Sequence, residues 1–389
     1  MVSTISALHR TLGALLLTTV AASYADAAAH AQQQISRAAV IESFRARIAS
    51  DVEADATGGI TAAVVVGNEI VWAEGFGWAD VEKRRPAGVD TIYRAASVTK
   101  TVTAVALMHL VQRRIVRLDD AVATHLPEAG EFVALTAADP PVLLRQLASH
   151  TAGLAREPWL PAAGRGPVAQ WESDVIAAIR GTAFPYARGE AYNYSNVGYA
   201  VLGLALSRAA HEPFMQMIEE RIFRPLGMND SAFVVDPLLA PRVSKGYENF
   251  SGIETVTQHP LGGNAHRGYR VPSSGMYSTV GDLARLIALL TGAAGDAVLD
   301  AGSREQMLSF HAPFTGRRGY GLGLRLRTGA DGRVLAGHDG RGPGYAAQIA
   351  FDPHSRIGVI LLRNYNVGRT DLSSAAYALV TALARAAAE

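Results

Sequence analysis

Apolar positions change their spacing along the chain. Residues 36–51 carry apolar side chains at helical spacing. β-branched and aromatic segments follow at 60–66 and 69–78, joined by Gly67-Asn68, a pair typical of a two-residue hairpin turn. Between about residues 117 and 270 the pattern is mostly helical and is broken by Gly/Pro loops. The pattern therefore predicts an opening helix, an antiparallel hairpin and a long helical region.

Strand character returns near the other end of the chain. Short apolar runs occupy 334–338, 345–351 and 357–363, and an alanine-rich helix is predicted over 373–387. Strands at both ends with helices between them predict an α/β fold. We expect an antiparallel sheet flanked by helices, built from N- and C-terminal segments, with an inserted all-helical domain. The predicted bounds are a sheet subdomain, 32–116 plus 271–389, and a helical subdomain, 117–270.

The first residues have the pattern of a secretory signal. Basic His9-Arg10 precede an apolar run over 11–22, and Ala29-His30-Ala31 forms a small-residue cleavage site. That run is too short to span a bilayer, and no later stretch is long and uncharged enough to do so. We therefore expect residues 1–31 to be a signal peptide and residues 32–389 to be a periplasmic or secreted domain.

Composition excludes several kinds of chemistry. The 389 residues include 36 basic and 35 acidic side chains but no cysteine, so disulfides, cysteine nucleophiles and thiolate metal sites are excluded. The basic residues form no stripe that would follow a phosphate backbone, so we expect no nucleic-acid partner. The 11 histidines are dispersed and lack the metalloprotease pattern. We expect no metal and no cofactor, and a small molecule or peptide as substrate. No oligomeric state is predicted.

A serine and a lysine three residues apart form the first candidate for catalysis. Ser97 and Lys100 stand at the start of an apolar helical segment, and this spacing places both on one helix face. A serine hydroxyl becomes a good nucleophile when a base takes its proton, and burial lowers the pKa of a lysine enough to leave it partly neutral. The alternative is a helix-capping serine beside a solvated lysine.

Two further motifs accompany that pair. A Tyr-x-Asn triplet occurs at Tyr194 and Asn196 and again at Tyr247. We favour Tyr194 because its loop runs into a helix, which is a rigid support for a catalytic group, whereas Tyr247 is expected in a polar loop without such support. The other motif, His338-Asp339-Gly340, ends a predicted strand. There Gly340 would let substrate approach the strand closely, and His338 would donate a hydrogen bond to it, although a structural histidine is the alternative.

The three motifs in this order resemble the serine β-lactamase and penicillin-binding-protein superfamily. The resemblance is greatest to the branch with class C β-lactamases, D-stereospecific peptidases and family VIII esterases. Further matching segments are Leu147–Leu154, Pro225–Met228, Ser274–Thr279 and Tyr320–Gly323.

The resemblance implies a role for each residue of the three motifs. Ser97 would be the acylated nucleophile, and Lys100 would share its proton. Tyr194 would be the general base and later the acid, stabilised as a phenolate by a nearby ammonium, while Asn196 would bind the amide of the acyl side chain. The oxyanion hole would be the backbone N–H groups of Ser97 and Arg341.

The third motif departs from the pattern of the β-lactamases in this branch. They usually carry Lys-Thr-Gly or Lys-Ser-Gly where this chain has His338-Asp339-Gly340, so a permanent cation is missing. Asp339 adds negative charge there unless it pairs with Arg341. We expect an exported serine hydrolase acting through an acyl-enzyme on a D-amino-acid peptide or a short-chain ester. The alternatives are a class C-like β-lactamase and a non-catalytic module that binds penicillin or cell wall.

Overall fold

The structure is a computed structural model. It describes residues 37–133, 139–160, 166–248, 256–258, 264, 267–329 and 331–386. The predicted signal peptide, residues 1–31, lies outside these described residues. Within them, no helix combines the length and apolar character needed to cross a membrane.

A nine-stranded antiparallel sheet forms the centre of the molecule, with the strand order β3-β2-β1-β13-β12-β11-β10-β9-β8. The strands of the chain are β1 Gly59–Val66, β2 Glu69–Asp80, β3 Arg85–Pro86, β4 Tyr93–Arg94, β5 Gly246–Glu248, β6 Val256–Gln258, β7 Tyr277–Ser278, β8 Ala312–Thr315, β9 Arg318–Tyr320, β10 Arg325–Thr328, β11 Val334–Gly342, β12 Tyr345–Asp352 and β13 Ile357–Arg363. The two chain ends meet where β1 pairs with β13. The predicted fold class is therefore confirmed.

Helices cover the sheet, and most of the chain between its N-terminal and C-terminal strands is helical. They are α1 at 37–55, α2 Thr99–Gln112, α3 Val122–His125, α4 Leu144–Ala148, α5 Trp171–Arg180, α6 Asn196–Ala210, α7 Phe214–Ile218, α8 Arg224–Leu226, α9 Val271–Ser274, α10 Val280–Leu290, α11 Ala301–Leu308 and α12 Leu372–Arg385. Helices α3 to α8 lie in the region predicted to be helical, and β5 and β6 add a small two-stranded sheet there. The exact subdomain bounds stay a prediction.

The sheet is buried on both faces, and its middle strands are accordingly mostly apolar. Along β13, Val359 and Leu361 point to the face covered by α1 and α12, while Ile360 and Leu362 point to the opposite core. That second core contains α2, α6 and α10. Every residue from Thr99 to Leu110 of α2 is buried, so this helix carries its polar side chains into the interior.

Strands β8 to β10 were missed by the sequence pattern. They are short, and their residues, such as Arg325 to Thr328 in β10, do not form an apolar run. They form because β8 pairs with β9, β9 pairs with β10, and β10 pairs with β11. In the last pair Arg325 lies opposite Gly337. Tertiary pairing rather than local preference determines this edge of the sheet.

Candidate active site

Ser97 lies in a short 3₁₀ turn, Ala96–Val98, that leads directly into α2. Its side chain is half-buried and is thus within reach of a small substrate. The preceding residue, Ala96, has φ 46°, in the left-handed region, which costs about 1–2 kcal/mol for a residue with a Cβ. Backbone strain of this kind, held in place by a buried surrounding, is typical of functional positions.

Lys100 is fully buried one turn further on. Its Nζ lies 3.3 Å from Ser97 Oγ, 2.7 Å from Asn196 Oδ1 and 2.9 Å from the carbonyl oxygen of Ser273. All three partners are uncharged, and burial lowers the pKa of Lys100 well below its usual value. A neutral amine has two N–H bonds and one lone pair. An ammonium would donate to all three oxygens; in the neutral form the two carbonyl oxygens would take the N–H bonds, and the lone pair would face Ser97 Oγ.

Asn196 is held in place from both ends of its amide. Its Oδ1 accepts from Lys100, and its Nδ2 donates to Glu157 Oε1 at 2.6 Å. Glu157 also accepts from the Tyr269 hydroxyl and, at 3.2 Å, from Arg270. Because a carboxylate only accepts, Glu157 fixes the amide with its oxygen toward Lys100. One N–H of Asn196 is left for the contact with an acyl amide that the resemblance implies. No sequence motif pointed to Glu157.

The Tyr194 side chain lies close enough to that of Ser97 for the Ser97 hydroxyl to lower the pKa of the phenol. Lys100 Nζ lies 4.8 Å from the Tyr194 ring centroid, and Arg156 and Arg325 place their guanidinium carbons 4.9 and 5.6 Å from it. Burial nevertheless raises the pKa of Tyr194 above its usual value, so the resting group is a phenol. The structure thus brings Tyr194 to Ser97.

Tyr247, the tyrosine of the second triplet, does not join this cluster. It is a buried residue of β5, and its hydroxyl donates to Glu82 Oε2 at 2.6 Å. Its placement in a strand also differs from the polar loop suggested by the sequence.

His338 is completely buried and makes its contacts within the protein. Its Nε2 lies 2.8 Å from the Tyr320 hydroxyl, and its Nδ1 lies 2.7 Å from the carbonyl oxygen of Asp339. Burial, with Arg325 adding to the effect, lowers the pKa of His338 to about 3, so the ring is neutral at pH 7. These positions place His338 behind the reacting groups rather than against a substrate.

Asp339 pairs with Arg325 of β10 at 2.5 Å, not with Arg341 as considered from the sequence. The pairing crosses from β11 to β10, a strand that the sequence pattern did not predict. Because His338 is neutral and Arg325 is paired with Asp339, neither residue offers a free positive charge at the place where related motifs carry lysine.

Gly340 allows β11 to approach the turn that carries Ser97. A Cβ at Gly340 would overlap the carbonyl oxygen of Ala95 and would lie 3.2 Å from Ser97 N. The space that the sequence assigned to an approaching substrate is therefore filled by the protein's own backbone. The next residue, Arg341, has an exposed side chain, and its strand runs beside the Ser97 amide.

Among the described residues, no group of three His, Asp or Glu side chains is arranged to hold a metal ion. Sequence reasoning also missed His150 and Tyr320, which line the inner side of the site. The ring centroids of these two residues lie 4.7 Å apart. His150 falls inside the Leu147–Leu154 segment of the resemblance, which was the available signal.

Comparisons with known proteins relate the chain to one family. The family model described as Beta-lactamase matches residues 44–384. D-alanyl-D-alanine-carboxypeptidase/endopeptidase AmpH of Escherichia coli (strain K12) is 28% identical over 290 residues, covering 70% of this chain and 71% of that protein. Esterase EstB of Burkholderia gladioli is 33% identical over 189 residues, covering 45% and 47%. The octameric penicillin-binding protein homologue from Pyrococcus abyssi superposes with a TM-score of 0.72 at 26% identity, covering 89% and 76%.

Proposed function

This chain belongs to the beta-lactamase family of serine hydrolases, and we propose that it is an exported hydrolase that forms an acyl-enzyme on Ser97 with amide or ester substrates. The observation that carries the proposal is the position of Lys100. Its buried Nζ lies 3.3 Å from Ser97 Oγ and is held by the carbonyl oxygens of Asn196 and Ser273, so that a neutral amine would have its lone pair free for the Ser97 proton.

In the proposed reaction, Lys100 takes the first proton. Ser97 Oγ bonds to the substrate carbonyl carbon as its proton passes to the amine, and the carbonyl electron pair moves to the oxygen. Backbone N–H groups of Ser97 and Arg341 would stabilise this oxyanion. Tyr194, a phenol at rest, then donates its proton as the bond to the leaving group breaks, and the Lys100 ammonium restores the phenol. Water subsequently releases the acid and returns the proton to Ser97.

This assignment differs in one respect from the role that the resemblance implies for Tyr194. The pKa of Lys100 is lowered and that of Tyr194 is raised, in both cases by burial. Both directions favour the neutral amine over a phenolate as the first base. Tyr194 keeps the second of its implied roles, as the acid to the leaving group.

The charges around β11 favour a substrate that is neutral near its leaving group. A peptide ending in D-alanine or a β-lactam presents a carboxylate, but Arg325 is already paired with Asp339 and His338 is neutral. Short-chain esters are therefore the first substrates to test. The resemblance to AmpH keeps D-amino-acid peptides as the second candidate.

Active-site labelling and turnover test the proposal. We expect a fluorophosphonate to add one equivalent of mass to the wild type and none to the Ser97→Ala variant. Turnover should decrease in the order p-nitrophenyl butyrate, D-Ala-D-Ala peptide, nitrocefin. Equal labelling of Ser97→Ala would contradict the nucleophile. A wild type that is labelled but turns over none of the three would support a binding module. Amino-terminal sequencing of the protein after secretion would test export.

A further inference from the structure

His150 packs against Tyr194 from the interior, and the proposed reaction gives it no proton to move. It follows α4 by two residues and is only 1% exposed. Its ring centroid lies 4.2 Å from that of Tyr194, with the two planes inclined by 37°. Tyr199 and Tyr320 pack on the same imidazole at 5.0 and 4.7 Å. The imidazole is therefore enclosed by the aromatic side chains of the site.

His150 also holds the backbone on both sides of Tyr194. The N–H of Asn193 donates to the carbonyl oxygen of His150 at 2.7 Å. The N–H of Ser195 donates to His150 Nδ1 at 3.1 Å. A single residue thus holds the backbone N–H groups of Asn193 and Ser195, the neighbours of Tyr194, and packs against the face of the Tyr194 ring. These three contacts leave the Tyr194 side chain little freedom to turn away from Ser97.

Two features of His150 are unfavourable for stability. Its φ of 62° lies in the left-handed region. Its Nε2 is buried without a hydrogen-bond partner among the described residues. Burial, with nearby Lys100 adding to the effect, lowers the pKa of His150 well below its usual value, so the ring is neutral. Because Nδ1 accepts from Ser195, the ring proton resides on the unpartnered Nε2. A buried residue with an unsatisfied donor and a strained backbone calls for a reason other than stability.

We propose that His150 is a positioning residue that holds the Tyr194 hydroxyl at Ser97 for proton donation to the leaving group. The proposal rests on the proposed function of Ser97. The position makes three demands: a side-chain acceptor for Ser195 N–H, a flat ring against Tyr194, and tolerance of a positive φ. Histidine meets all three. Asparagine meets the first and the third, and phenylalanine meets only the second.

Steady-state kinetics on ethyl butyrate test this role, because an alkoxide leaving group needs a proton. We expect His150→Asn to lower kcat roughly tenfold and His150→Phe roughly a hundredfold, with KM within about twofold, since small displacements of a catalytic group cost rates of this order. His211→Phe is the matched control. His211 is an exposed histidine with φ 53° at the far end of α6, and the control should keep wild-type kcat.

A double-mutant cycle separates positioning from general structural damage. In the Tyr194→Phe background, His150→Asn should change kcat by less than about twofold, because the hydroxyl that it positions is gone. An undiminished tenfold loss in that background, or a loss that matches the unfolded fraction in a thermal melt, would overturn the proposal. A wild type that turns over neither the esters nor the D-Ala-D-Ala peptide would instead contradict the proposed function. An active wild type with equally active His150 variants would contradict only the role of His150.

Discussion

Two tyrosines of this chain occur in the same Tyr-x-Asn pattern, and each lies near a lysine, but the groups around the two lysines differ. Lys245 Nζ and the Tyr247 hydroxyl both donate to one carboxylate, that of Glu82, at 2.7 and 2.6 Å. Lys100, beside Tyr194, makes its hydrogen bonds to three uncharged groups among the residues that the structure describes. Asn249 of the second triplet lies outside the described residues.

That difference decides what each lysine can do. A carboxylate favours the ammonium form and fixes its proton, so Lys245 forms an ion pair. Uncharged carbonyl oxygens stabilise an ammonium less than a carboxylate does, so burial lowers the pKa of Lys100, and the neutral amine has a lone pair available. We therefore expect the buried lysine held by neutral acceptors to act as a base and the lysine bound to a carboxylate to have a structural role.

The largest effect that this comparison predicts is on the two lysines. Lys100→Ala should lower kcat for p-nitrophenyl butyrate by roughly 10³ to 10⁴, the range for loss of a general base. Lys245→Ala should leave kcat within about twofold. Both rates are measured at pH 7 on variants with a confirmed circular dichroism spectrum. Equal losses in the two variants would contradict the distinction between Lys100 as a general base and Lys245 as a structural ion-pair partner.

The next effect concerns the two tyrosines and depends on the leaving group. Tyr194→Phe should lower kcat roughly 10²-fold on ethyl butyrate, whose alkoxide needs a proton, and only a few-fold on p-nitrophenyl butyrate. Tyr247→Phe should leave both rates unchanged. If Tyr194→Phe slows the two esters equally, Tyr194 is the first base, as the resemblance implies, and the assignment of Lys100 is wrong.

Much of this site follows from short-range sequence spacing. The relation of Ser97 to Lys100 is set by one helical turn, and the strands β1, β12 and β13 follow from apolar runs that are buried on both faces. Glu157, Ser273 and His150 could not be predicted in their roles, because each reaches Asn196, Lys100 or Tyr194 only through the packing of distant segments. Glu157 and Asn196, for example, are brought together across 39 positions of the chain.

The partner of Asp339 shows how a strand that the sequence pattern did not predict changes the interpretation of the site. From the sequence, Arg341 is the nearest cation along the strand, two positions away. The structure places β10 beside β11, and the register sets Arg325 opposite Gly337, within reach of Asp339. The polar residues of β10 gave no periodic signal, so the cation that neutralises Asp339 was not foreseen.

The smallest predicted effect is on stability in acid. Burial alone would raise the pKa of Glu82, but hydrogen bonds from Lys245 and Tyr247 lower it to about 2, from an ordinary value of 4.5. A lowered folded-state pKa contributes stability that is present above pH 4.5 and is lost as the pH falls toward 2. Because the Glu82 side chain is half exposed, solvent screening reduces the contribution to about 1 kcal/mol.

Urea unfolding of Glu82→Gln from pH 7 to pH 2 tests this contribution. At pH 7 the variant should be less stable than the wild type by about 1 kcal/mol, and the difference should shrink toward zero as the wild-type carboxylate is protonated. Glu69→Gln, at an exposed position of β2, serves as the control and should show a difference that does not vary with pH. A difference that stays constant for Glu82→Gln would mean that the ion pair with Lys245 contributes nothing. The contrast between the two lysines would then rest on the burial of Lys100 alone.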